Sequence, residues 1–159
     1  MKQLIQTIII ITALIIQPLA VAKPKSQVVY PNHEAEVQLA FQQWLTALEH
    51  DNPEVVVDLY RNDATLLATL EGEPLTTQEE RVKYFSGLLA KPNFHAVADS
   101  ISIRVLDKDT ATTSGLYTFR FEQNGEITEL PARFLFVYEK EGSDWMIVEH
   151  HSSQMPQSS

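Results

Sequence analysis

The prevailing spacing of apolar residues along this chain changes at Pro92. Before Pro92, apolar residues recur every three or four positions, which indicates amphipathic helices. After it they alternate with polar residues, as in Ile101, Ile103 and Val105, which indicates half-buried strands. Helices that precede a run of strands predict an α+β domain in which the helices pack on one face of a curved sheet.

The first predicted helix follows Asn32, a residue type that often caps a helix N-terminus. Glu34 and Glu36 lie in its first turn, where carboxylates interact favourably with the helix dipole. We expect the helix to end near His50. One face carries apolar residues at helical spacing, which we interpret as core: Val37, Ala40, Phe41, Trp44, Leu45 and Leu48.

A second, shorter helix is expected at 55–60, because Asn52 and Pro53 form a typical helix start. A strand at 63–70 and a loop then separate it from a third helix, which ends before Pro92. Two overlapping capping-box patterns can begin this third helix, namely Thr76 with Glu79 and Thr77 with Glu80.

Four strands are predicted after Pro92, at 94–106, 110–122, 127–140 and 144–153. Asn124-Gly125 is a strong hairpin signal between the second and third of them. Because short turns join neighbouring strands, we expect an antiparallel meander. A sheet of this kind, curved around the helices, would enclose a cone that is open at one end.

The first 22 residues have the pattern of a cleavable signal peptide. Lys2 precedes an apolar segment, Leu4–Ile16, and Ala20-Val21-Ala22 matches a cleavage site. An uncleaved membrane anchor is the alternative, although the apolar segment is short for a membrane span. We therefore expect a periplasmic or secreted protein without stable membrane association. Its predicted organisation is a signal peptide at 1–22, a linker at 23–32, one domain at 33–156 and a tail at 157–159.

The charge of the chain restricts its partners. The formal net charge is -9, and cleavage after residue 22 would remove Lys2 and leave -10. A chain this acidic is a poor partner for nucleic acid or for an anionic lipid surface. The absence of cysteine excludes a thiol nucleophile and a cysteine-ligated metal. His33, His50 and His95 are too widely spaced to form a metal signature, so we expect no metal and no cofactor.

The last predicted strand ends in the polar sequence Glu149-His150-His151-Ser152-Ser153. Neighbouring residues of a strand point to opposite faces, so only one of the two histidines can face the interior. His151 shares a face with Glu149 unless a bulge intervenes. His151 and Glu149 are therefore the candidate catalytic bases, and Ser152 is a candidate ligand contact.

Three further residues are candidate ligand contacts. Arg133 begins an otherwise apolar strand, and a buried arginine requires an anionic partner. Glu149 on the adjacent strand is the natural partner, so the pair is either structural or part of a pocket. Tyr60 and Tyr117 offer hydroxyls to a ligand, or they are core aromatics with a polar tip.

Several segments of the chain resemble the association domain of calcium/calmodulin-dependent protein kinase II, and in particular bacterial relatives that stand alone. These segments are Asp58–Ala64, Gly115–Phe119, Ala132-Arg133-Phe134 and Trp145–Pro156. The resemblance implies the cone-shaped nuclear-transport-factor-two-like fold, which SnoaL-like proteins and ketosteroid isomerases share. It also implies an internal pocket and assembly into dimers or larger rings. The resemblance further implies that the arginines and polar groups deep in the pocket of the association domain hold a small carboxylate; Arg133 matches one of these arginines, Ser152 stands where the domain can carry another, and Tyr117 lies near the place of a third.

The predicted function is therefore an exported association-domain-like protein that self-associates and binds a small polar or amphipathic ligand. No kinase signature is present. The alternative is an isomerase or dehydratase that uses His151 or Glu149 as its base. For self-association we expect an uncovered aromatic surface on the sheet, formed by Phe134, Phe136 and Tyr138 or by Tyr117, Phe119 and Phe121.

Overall fold

The computed structural model describes residues 30–156. The predicted signal peptide, most of the predicted linker and the predicted tail lie outside these residues. The described part contains three helices and five strands in the predicted order: α1 His33–Ala47, α2 Pro53–Val57, β1 Tyr60–Leu67, α3 Gln78–Leu89, β2 His95–Val105, β3 Thr110–Gln123, β4 Glu126–Glu141 and β5 Asp144–Gln154.

All five strands belong to one sheet with the order β1-β5-β4-β3-β2. Strands β2 to β5 form the predicted antiparallel meander, whereas β1 adds to β5 in parallel. The prediction that Tyr60 belongs to the second helix is wrong. That helix ends at Val57, and Tyr60 begins β1 because its backbone pairs with that of Ile147.

Irregular pairing bends the sheet around its core. The register shifts between Ala98 and Ser100 in β2 and between Val137 and Tyr138 in β4. Such bulges bend a strand and increase its twist. The β2 bulge also explains Gly115, because a Cβ atom there would lie 2.0 Å from the carbonyl oxygen of Ser100. The α+β cone fold predicted from the sequence is confirmed.

The inner face of the sheet is filled with aromatic side chains that α1 covers. Phe41 stacks on Phe134 with ring centroids 4.9 Å apart, and Trp44 meets Phe136 edge-on at 5.0 Å. The expectation of an uncovered aromatic surface is wrong, because the curved sheet and the large side chains of α1 together enclose these rings. The six aromatic residues expected to lie uncovered are all buried: Phe134, Phe136, Tyr138, Tyr117, Phe119 and Phe121.

A polar contact fixes α1 to the end of the β4–β5 hairpin. Glu36 accepts hydrogen bonds from Lys140 Nζ at 2.7 Å and from Trp145 Nε1 at 3.0 Å. These two bonds, the first above all, lower the pKa of Glu36 to about 2. The contact holds α1 over the aromatic core. Within residues 30–156, no helix has the length and hydropathy that a membrane span requires.

Candidate functional site

A bulge in β5 decides which histidine faces the interior. Tyr138 pairs with Ile147 but Val137 pairs with Glu149, so Val148 is the extra residue. The extra residue reverses the alternation of faces along the rest of the strand. His150 is therefore buried, with 3% of its surface exposed, and His151 is exposed.

His150 is the centre of a buried hydrogen-bond network inside the cone. Its Nδ1 atom lies 2.8 Å from the Tyr60 hydroxyl, which accepts a hydrogen bond from Trp44 Nε1 at 2.9 Å. Its Nε2 atom lies 3.5 Å from the Tyr117 hydroxyl, which donates to Ser152 Oγ at 2.5 Å. The structure thus brings three predicted residues, Tyr60, Tyr117 and Ser152, together around His150.

The network is uncharged at neutral pH. Burial, with a smaller contribution from the nearby His151, lowers the pKa of His150 to about 3. Burial also raises the pKa values of Tyr60 and Tyr117 well above their usual range. A histidine with so low a pKa is unprotonated at neutral pH and is a weak base, because general base catalysis is most efficient when the pKa lies near the working pH. At neutral pH this network offers hydrogen bonds from uncharged groups.

Arg81 of α3 supports the network from one side. Its side chain is fully buried and donates hydrogen bonds to the backbone carbonyls of Ala64 at 2.6 Å, Arg61 at 3.0 Å and Asn62 at 3.1 Å. These carbonyls lie in the part of β1 where the pairing with β5 is irregular. The Arg81 guanidinium also lies 5.8 Å from the centre of the Tyr60 ring. Arg81 therefore holds the strand that positions Tyr60.

The network reaches the surface at a depression of about 300 Å³ between the loop after β1 and the end of β5. Ser152, the last buried member, exchanges a hydrogen bond with the Thr69 hydroxyl, and both residues line the depression. We call this depression the mouth. It is lined by Leu67, Ala68, Thr69, Glu71, Gly72, Glu73, His151, Ser152, Ser153 and Gln154.

Three predicted site residues lie on the side of the sheet away from the helices. Arg133, Glu149 and His151 are exposed there, and His151 also lines the mouth. Arg133 pairs with Ser153, whereas Glu149 pairs with Val137, so the predicted pair of Arg133 and Glu149 in a pocket is wrong. The physical reason is the β5 bulge, which turns Glu149 outward. We call this side of the sheet the outer face; it carries Leu67, Leu116, Arg133, Leu135, Glu149 and His151.

Sequence reasoning missed Thr69 and Arg81. Thr69 lies in a loop and follows no pattern that would have indicated it. Arg81 shares a helical stripe with Phe85 and Leu88, and this spacing was a usable signal. Among the described residues, no group of three or more acidic, histidine or cysteine side chains could hold a metal ion.

The comparisons with known proteins agree with this geometry. Residues 33–156 match the family model of the calcium/calmodulin dependent protein kinase II association domain. The chain belongs to this family. The matched range contains every helix and strand described above and both ends of the hydrogen-bond network. The family resemblance seen in the sequence is confirmed.

Solved structures of association domains and their relatives share the fold. A protein of Xanthomonas campestris provisionally assigned as an association domain is 40% identical, with a TM-score of 0.73 over 77% of this chain and 88% of that one. The kinase hub homology domain of Chlamydomonas reinhardtii is 22% identical, with a TM-score of 0.66 over 78% and 98%. A ketosteroid isomerase-like protein of Erwinia carotovora is 17% identical, with a TM-score of 0.69 over 80% and 100%. No functionally curated protein matches the chain.

Proposed function

We propose that this association-domain protein self-associates through the outer face of its sheet and binds a small polar ligand at the mouth of its cone. The observation that carries self-association is the apolar content of the outer face. Leu67, Leu116 and Leu135 are 40%, 37% and 44% exposed. Leu67 and Leu135 both pair with His151 across neighbouring strands, so they form one continuous row. An apolar row on an open sheet face is typical of an interface.

A second copy of the same face is the natural partner. In a two-fold symmetric contact each copy presents the same residues, so the leucine rows can cover each other. Arg133 and Glu149 carry opposite charges on this face, which lets the arginine of one copy approach the glutamate of the other. Membership of a family defined by association also supports this proposal.

Light scattering coupled to size exclusion tests the proposed interface. We expect a mass of two chains or more at micromolar concentration, and a smaller species for Leu135→Lys, because a buried unpaired ammonium is unfavourable. Ile127→Lys is the matched control, since Ile127 is also exposed on β4 but lies beside the hairpin turn. A monomeric wild type, or an unchanged mass for Leu135→Lys, would contradict the proposed interface.

The proposal of ligand binding rests on the polar network that ends at the mouth. A binding role fits this geometry better than catalysis does. Glu149 lies on the outer face and does not line the mouth. His151 lines the mouth but takes no part in the buried network, and burial lowers the pKa of His150 to about 3. Mass spectrometry of small molecules that copurify with the wild type, and that are lost from Ser152→Ala, is the direct measurement. An isomerase or dehydratase would instead require a base that points into the cone.

Export is a further part of the proposal, and it rests on the sequence of residues 1–22. Cleavage after Ala22 would release a chain that begins at Lys23. The intact mass of the protein from a periplasmic extract measures this directly. Full-length protein confined to the membrane fraction would show that the segment is an anchor.

A further inference from the structure

We infer that the mouth takes a small neutral polyhydroxylated ligand, because the buried network ends there in a hydroxyl whose hydrogen is left to be donated outward. The inference rests on the proposed ligand binding at the mouth and names the class of ligand. It follows from the direction of each hydrogen bond between Trp44 and Thr69.

Trp44 fixes the direction at the inner end of the network. An indole N–H donates and cannot accept, so the Tyr60 hydroxyl accepts from Trp44 Nε1 at 2.9 Å. The single hydrogen of that hydroxyl is then free for His150 Nδ1 at 2.8 Å. A neutral imidazole carries one N–H, so Nδ1 is the acceptor and Nε2 carries the hydrogen.

The same direction continues to the surface. His150 Nε2–H faces the Tyr117 hydroxyl at 3.5 Å, and Tyr117 donates to Ser152 Oγ at 2.5 Å. Either hydroxyl can donate in the bond between Ser152 and Thr69. Continued in the same direction, the network has Ser152 donating to Thr69 Oγ1, and in either arrangement one hydroxyl hydrogen of this pair remains for an acceptor in the mouth.

The lining of the mouth determines which acceptor fits. Glu71, Glu73 and Gln154 line it, and none of its lining residues is a lysine or an arginine. A carboxylate ligand would accept from Thr69 but would lie beside two like charges. A hydroxyl group accepts from Thr69 and also donates to a glutamate or to the glutamine carbonyl. A ligand with several hydroxyls can accept from Thr69 and donate to these acceptors at the same time.

The volume of the mouth limits the size of the ligand. Its volume is about 300 Å³, which corresponds to about ten water molecules at ~30 Å³ each. A polyol of about four to six carbon atoms occupies a space of this order. Erythritol is therefore a suitable probe, with its carboxylate analogue erythronate and its amine analogue 1-amino-1-deoxyerythritol as probes of the same shape and different charge.

The tautomer of His150 tests the direction of the network without any ligand. In a long-range ¹⁵N–¹H correlation spectrum near pH 7, Nε2 should show the shift of a protonated nitrogen and Nδ1 that of an unprotonated one. His150→Gln assigns the signals. The opposite tautomer would mean that His150 donates to Tyr60, and it would overturn the inference. This measurement does not require any variant of the mouth to fold.

Binding of the three probes tests the ligand class. Titration calorimetry or chemical-shift titration should show saturable binding of erythritol, with erythronate at least about tenfold weaker because of the like charges. Thr69→Val, which keeps the shape and removes the donor, should lose erythritol binding. Thr128→Val on β4 is the matched control and should bind as the wild type does.

The contrary outcomes separate this inference from the function on which it rests. Erythronate or the amine binding more tightly than erythritol would leave the mouth as a ligand site and overturn its class. Unchanged erythritol binding by Thr69→Val would likewise overturn the role of the terminal donor. Binding of none of the three probes would overturn this inference, whereas the proposed ligand binding at the mouth is decided by the molecules that copurify with the wild type, and self-association by its own measurement.

Discussion

At the scale of single residues, His150 determines the character of the interior. Its ring lies 3.8 Å from that of Phe136 and stacks on it, while its two nitrogens face the hydroxyls of Tyr60 and Tyr117. The surrounding aromatic rings exclude water from the imidazole, and the two hydroxyls supply hydrogen-bond partners for its nitrogens. The residue is therefore stable when it is neutral and unfavourable when it is protonated.

This environment predicts an acid-sensitive fold. The pKa of His150 is about 3 in the folded state, and an unfolded histidine has a pKa of about 6.5. Between these values the unfolded state binds one more proton, so stability falls as the pH is lowered through this range, by up to about 1.4 kcal/mol per pH unit. Above the unfolded pKa this contribution does not depend on pH. Urea unfolding of the wild type at pH 7.5, 6.5, 5.5 and 4.5 measures the slope.

The His150→Gln variant isolates the effect, because glutamine keeps hydrogen-bonding atoms and does not titrate. Its stability should be lower than that of the wild type at pH 7.5, and the difference should shrink as the pH falls to 4.5. His151→Gln is the matched control, since it changes the exposed neighbour. A difference between wild type and His150→Gln that stays constant over this range would contradict the prediction.

Sequence reasoning identified part of this site. Tyr60, Tyr117 and Ser152 were expected to lie near a ligand, and the structure brings them together, although their binding role stays a prediction. The choice between His150 and His151 depends on a one-residue bulge. A bulge arises from the pairing of two strands, so neither strand alone contains the information that places it. The same bulge moved Glu149 to the outer face and separated it from the cone.

At the scale of elements, local signals located the helices and the meander well. Caps, hairpin turns and the period of apolar residues are properties of short segments, and they predicted the order of every described element. The parallel pairing of β1 with β5 was not predicted, because it joins segments that are far apart in sequence. The buried Arg81 belongs to the same long-range contact, since it binds the carbonyls of β1 from α3.

The structure also shows which of the two capping-box patterns in the sequence begins α3. Thr77 accepts a hydrogen bond from the backbone amide of Glu80 at 3.2 Å, and Glu80 accepts one from the amide of Thr77 at 3.0 Å. Thr77→Ala should therefore destabilise the domain by about 1 kcal/mol. Thr76→Ala is the matched control, because only the backbone of Thr76 takes part. Urea unfolding measures both variants, and equal losses would show that Thr77 does not cap the helix.

At the scale of the whole molecule, the two faces of the sheet have different roles. The inner face is occupied by aromatic rings and by the polar network, with α1 packed over it. The outer face keeps leucines exposed without any covering element among residues 30–156. A sequence with alternating residues predicts that both faces exist, but it does not tell which face the helices cover. This is why the predicted interface lay on the wrong aromatic surface.

Self-association through the outer face predicts that thermal stability depends on protein concentration. Dissociation accompanies unfolding of a dimer, so a hundredfold rise in concentration contributes about 2.7 kcal/mol by mass action. For a domain of this size that corresponds to a rise in Tm of about 5 °C. Scanning calorimetry or near-UV circular dichroism at about 2 µM and at about 200 µM measures this shift in Tm.

The same variants that test the interface make this measurement specific. Leu135→Lys should unfold at a Tm that no longer changes with concentration, because a monomer has no dissociation step. Ile127→Lys should keep the shift of the wild type, since Ile127 lies at the hairpin end of β4 and away from the leucine row. If Leu135→Lys kept the full shift while remaining folded, the contact between copies would have to lie elsewhere. If the wild type showed no shift, the chain would be monomeric over this range and the leucines of the outer face would require another partner.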